Sequence, residues 1–64
     1  MGYNNDLVSV EGEVQHETDQ AILVDFGLED KVWLPKSQLE DWPDVLDFGD
    51  IMLPQWLAED KGIV

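Results

Sequence analysis

A chain of 64 residues with no cysteine and only one histidine has to hold itself together by apolar packing alone. Domains of this length bury about 60% of the surface that the unfolded chain exposes, so their cores are marginal. Small folds commonly make up the difference with disulfides or a structural metal, and this sequence lacks the Cys and His sets for either. The interior must come from aliphatic side chains and from the aromatics Tyr3, Phe26, Trp33, Trp42, Phe48 and Trp56. A hydrophobic content of 44% supplies enough for one ordinary domain and rules out a disordered acidic tail.

The apolar residues fall at the period of strands. From Leu7 to His16 the chain alternates, with Val8, Val10, Gly12 and Val14 on one face and Ser9, Glu11, Glu13 and Gln15 on the other. Gly12 inside that run predicts a bend or bulge. Glu17 to Gln20 is a hairpin-length connection, and Ala21 to Phe26 reads as a second, more buried strand. Gly27 to Asp30 turns the chain into a third strand, Lys31 to Leu34, ended by Pro35, which has no N–H for a ladder. Ser37 and Glu40 match a capping box and predict a short helical turn that stops before Pro43. Asp47 to Asp50 reads as a turn and Ile51 to Leu53 as a short fourth strand. Pro54 opens a C-terminal helix through Lys61, with Gly62 as its left-handed cap and Ile63 or Val64 closing on the sheet. The expectation is a mainly β fold: a twisted antiparallel sheet, or a partly closed barrel of SH3 or OB type, of four or five strands with a short C-terminal helix. Residues 1–6 are expected to be flexible and residues 7–64 to form one domain.

Charge is the outlying property. Fifteen acidic residues face three lysines, for a formal net charge of −12. Such a chain repels nucleic acid and anionic membranes, and any partner steered by charge is basic. No apolar run reaches the ~20 residues of a membrane span. Residues 1–6 lack the basic and apolar regions of a signal peptide, so the expected compartment is the cytoplasm.

Catalysis needs a nucleophile, a base and an orienting group held together, and the sequence offers little of that. His16 at a strand end reads as a solvated turn residue. Ser37 beside Lys36 is explained by capping, since adjacent residues do not face each other. Carboxylate pairs are inevitable among fifteen acids. Asp41, Asp44, Asp47 and Asp50 recur every three residues, but a calcium loop uses alternate positions and a closing Glu. No enzyme activity, cofactor or metal is therefore expected. Trp33 and Trp56 are assigned to the core, since each large aromatic buries about 150–250 Å². Trp42, between Asp41 and Pro43, suits either core or interface.

The segment Val32-Trp33-Leu34-Pro35-Lys36-Ser37-Gln38, followed by Leu53-Pro54-Gln55-Trp56-Leu57-Ala58-Glu59-Asp60-Lys61-Gly62, resembles a group of small proteins from bacteriophages and mobile elements. These carry a W-[IL]-P-K-S-Q motif and a closing P-x-W-L-A-x-x-K-G, and the likeness spans roughly residues 11–63. The resemblance implies a phage or prophage setting and carries over no residue roles. Small acidic phage proteins include anti-CRISPR and other anti-defence proteins, some of which mimic DNA. Size, charge and setting together predict an interaction protein that blocks a basic, nucleic-acid-binding surface of a host protein. Its contacts would be Glu11, Glu13, Asp25, Glu29, Asp30, Asp41, Trp42, Asp44, Asp47 and Asp50. The alternative is a structural phage module docking through apolar contacts around Trp42 and Leu46.

Overall fold

The alternating run that opens the chain forms one long strand, β1 (Leu7–Glu17), and it pairs on both sides. The computed structural model describes residues 6–63. Tyr3, Val64 and the flexible terminus expected over residues 1–6 lie outside these, apart from Asp6, whose carbonyl accepts a bond from Gln55 N at 2.9 Å. The other strands are β2 (Ala21–Asp25), β3 (Val32–Pro35) and β4 (Phe48–Pro54), followed by a helix, α1 (Gln55–Asp60). They make a four-stranded antiparallel sheet in the order β3-β2-β1-β4, open rather than closed into a barrel.

β1 pairs with β4 through its first half, Leu7 opposite Pro54 to Glu13 opposite Phe48, and with β2 through its second half. The two halves meet at Glu13, next to Gly12. A Cβ at Gly12 would lie 2.7 Å from Val24 Cγ1, 2.9 Å from Phe26 Cδ1 and 3.1 Å from the Asp25 carbonyl oxygen. Only glycine lets the second strand fold that tightly over the first. The bulge falls three residues past Gly12: the register with β2 slips between Val14 and His16, which leaves Gln15 unpaired in the ladder.

The inner face carries the core. Val14, Ile22, Val24, Leu34, Ile51 and Leu53 are fully buried, and Leu39, Leu57 and Ala58 cover them. α1 is too short to persist alone and is held by Leu57 and Ala58 against the sheet. Gly62, at φ 71°, ends it as predicted: Gly62 N donates to Glu59 O and Ile63 N to Ala58 O, and Ile63 packs on the core.

Four expectations are corrected. Trp33 is 46% exposed and Trp56 49% exposed. In β3 the alternation sends Val32 and Leu34 inward, so Trp33 must point out, where its ring meets His16 edge-on at 6.1 Å. Trp56 is displaced by Leu57 and Ala58, which take the sheet side of α1. The capping box does not form: a 3-10 turn over Lys36–Gln38 starts directly after Pro35, with no side-chain cap, and places Ser37 inside it. Asp47 to Asp50 is not a turn. The turn is Asp44 to Asp47, closed by Asp47 N to Asp44 O, and Phe48, Gly49 and Asp50 already belong to β4.

Both sheet edges are protected in part. Glu40 N donates to Met52 O and Met52 N to Asp41 O, covering the outer edge of β4 at Met52. On β3, Lys36 N bonds to Gln20 O, so the ladder phase turns Leu34 and Val32 toward β2 and leaves Trp33 and Pro35 facing outward. Pro35 has no N–H, which blunts that edge against added strands. Gly12→Ala is expected to lower the unfolding free energy by about 1–3 kcal/mol, since Val24 is fully buried and cannot retreat. Thermal denaturation reads this; an unchanged midpoint would show that the space between β1 and Val24 has room for a side chain.

Candidate functional site

The face of the sheet turned away from the core is where the carboxylates meet. The same ladder that puts Val8, Val10 and Val14 inside puts Glu11 and Glu13 outside, and register supplies their neighbours. Glu11 stands directly opposite Asp50, and Glu13 stands between Asp25 on one side and Phe48 on the other. Directly opposed side chains have Cβ atoms about 4.5–5.5 Å apart, and the two rows lie about 6.6–6.8 Å apart along β1. Four carboxylates are thereby gathered on one rigid surface. Like charges placed opposite each other cost about 0.2–1 kcal/mol per pair.

Two of the four are fixed in orientation. Gln15 Nε2 donates to Glu13 Oε1 at 2.8 Å, and Gly27 N donates to Asp25 Oδ1 at 2.8 Å in a turn that needs the positive φ of Gly27, 84°. Phe48, opposite Glu13, shares this face, whereas Phe26, in phase with the buried Val24, packs against the core and only borders the hollow. Glu11, Glu13, Asp25, Phe26, Gly27 and Phe48 line a shallow hollow of about 390 Å³. Phe48 is 66% exposed. None of the three lysines lies on β1, β2 or β4: Lys31 precedes β3, Lys36 pairs with Glu17, and Lys61 follows α1.

The other expected contacts fall elsewhere. Glu29 and Asp30 are exposed in the turn between β2 and β3. Asp41 bridges to Met52 at the edge of β4, and its Oδ1 accepts from Trp42 N at 3.0 Å. Trp42 is half-buried against the core. Asp44 and Asp47 bracket the last turn, and Asp47 O accepts from Val14 N. Among the described residues no three of His, Asp and Glu gather as a metal site would require. No helix there is long and apolar enough to cross a membrane. His16, edge-on to Trp33, borders a second hollow of about 500 Å³ with Glu17, Thr18, Asp19, Lys36 and Val45.

Sequence reasoning missed the aromatic member of the face, Phe48. The signal was present: Phe48 lies two residues before Asp50, the spacing of one strand face, but it is readable only once Phe48 is placed in β4. Leu46 was noted only beside Trp42. It is 69% exposed and sits at φ 69°, with its N–H bonded to Val14 O at 2.6 Å. An apolar residue there is strained and adds almost nothing to the core.

Compared with protein-family models, curated proteins and solved structures, the chain has no match in any of the three.

Leu46→Gly is expected to raise the unfolding free energy by about 0.5–1 kcal/mol, the left-handed strain relieved less the chain entropy that glycine adds. Urea denaturation measures it. A loss of stability would mean that the Leu46 side chain supports the fold.

Proposed function

We propose that the chain is a non-enzymatic interaction protein, of phage or mobile-element origin, that occupies a basic nucleic-acid-binding surface of a host protein in the cytoplasm and so inhibits it. The observation that carries this reading is the pair of opposed carboxylate rows, Glu11 with Asp50 and Asp25 with Glu13, on a sheet face whose strands carry no lysine. Solubility accounts for the sign of the net charge but not for this arrangement. A surface selected for solubility mixes both signs, and a lysine at position 48 or 50 would remove the repulsion. Carboxylates on rigid strands present fixed negative charge to a lysine- and arginine-lined groove. Complementarity of that kind acts chiefly on association rate and specificity. The mechanism is competition for the groove, with no bond made or broken.

A second reading, a structural module docking through apolar contacts, is favoured by one feature, the exposed and strained Leu46. The two differ in salt dependence, because screening weakens exposed charge pairs and leaves apolar burial intact.

An affinity capture from bacterial lysate eluted along a salt gradient separates them. The expected partner is a basic nucleic-acid-binding protein whose affinity falls at least about tenfold from low to high salt. Glu11→Lys with Asp50→Lys is expected to abolish capture while the fold is kept. Salt-insensitive capture lost on Leu46→Ser would instead establish the apolar reading.

A further inference from the structure

We infer that the hollow beside Phe48 on the acidic face receives an arginine side chain of the basic partner, in preference to lysine. This rests on the reading of the acidic face as a docking surface for a cationic protein, and it names the side chain that the surface is shaped for.

The hollow is a shallow depression in the acidic face, with the exposed Phe48 ring on one side and carboxylates around it. Phe48 leaves most of its ring in water at the one point of the face where a polar residue or a lysine would serve solubility better. An exposed ring flanked by carboxylates offers two things at once. The ring gives a face for a flat cation to stack on, and the rim gives acceptors in reach of that cation's N–H groups. Guanidinium is planar, weakly hydrated and carries five donors in a fixed fork, so it uses both. An ammonium is a compact, strongly hydrated point charge and gains little from the ring.

The acceptors are also aimed. Glu13 Oε1 is held by Gln15 and Asp25 Oδ1 by Gly27 N. Each of these two carboxylates therefore has a set orientation and keeps its second oxygen for an incoming donor. Gly27 opens the mouth, since a Cβ there would meet nothing within 4 Å. Charge complementarity and the exposed ring thus converge on one occupant: an arginine that stacks on Phe48 while its fork bridges Glu13 and Asp25.

Two synthetic dodecapeptides of equal charge, one alternating arginine with glycine and one alternating lysine with glycine, test this by calorimetry and amide chemical-shift mapping. The arginine peptide is expected to bind about tenfold more tightly, with shifts centred on Glu13, Asp25, Phe26 and Phe48. Phe48→Ser, at an exposed position, is expected to keep its thermal midpoint and its salt-sensitive binding while losing the preference. Equal binding of the two peptides, or a preference that survives Phe48→Ser, overturns the arginine assignment and leaves the acidic-face reading standing. Binding of neither peptide at low salt overturns that reading itself.

Discussion

β1 joins the two ends of this sheet, and β2 can lie closely against it only because position 12 is glycine. The first half of β1 carries β4 and its second half carries β2, with Glu13 paired to both. Val24 and Phe26 lie over the position where a side chain at residue 12 would otherwise stand. The result is a core built almost entirely of aliphatic residues, which a chain of this length without cysteine or metal requires. Closing the ladder into a barrel is unnecessary. The outer edge of β4 is bonded to residues 40 and 41, and that of β3 is blunted by Pro35.

The same geometry determines what the outer face displays. In a pleated strand the residues between core positions point the other way, so a strand buried at Val10, Gly12 and Val14 must expose Glu11 and Glu13. Pairing on both sides then brings Asp50 and Asp25 to stand against them. The fold and the acidic face are two sides of one ladder. Repulsion across it is a cost that the apolar side of the same strand offsets, since each large aliphatic side chain buried there contributes about 1.5–3 kcal/mol. A marginal domain that retains such repulsion gives up stability at the surface where a cationic partner would restore it.

Much of the fold was legible because alternation and turn chemistry are local. The β1 period, the strands from Ala21 and to Leu34, and the helix closed by Gly62 all follow from neighbouring residues, whereas the bulge expected at Gly12 falls at Gln15. What failed was decided by distant ones. Bulk suggested that Trp33 was inside, but parity in β3 is set by Val32 and Leu34 reaching the core together. Ser37 and Glu40 had the spacing of a cap, yet the chain enters that turn from Pro35 with Lys36 already bonded to Gln20. Phe48 and Gly49 have turn composition, but Gly49 pairs with Gly12 across the ladder and draws them into β4. The acidic site was legible in part for the same reason. Glu11 and Glu13 could be placed on one face from their spacing, whereas Asp50 and Asp25 join them through register. Glu29, Asp30, Asp44 and Asp47 share their charge and not their place.

The most direct measurement is a double-mutant cycle on Glu13 and Asp25, using Glu13→Gln and Asp25→Asn in low-salt denaturation. Repulsion across the ladder predicts that each single substitution stabilises, after the hydrogen bond from Gly27 N is allowed for, and that the pair together gain less than their sum. The expected coupling is about 0.2–1 kcal/mol and fades as salt is added. Strict additivity at every salt concentration would mean that these two carboxylates do not share a surface, and the acidic face would not exist as described.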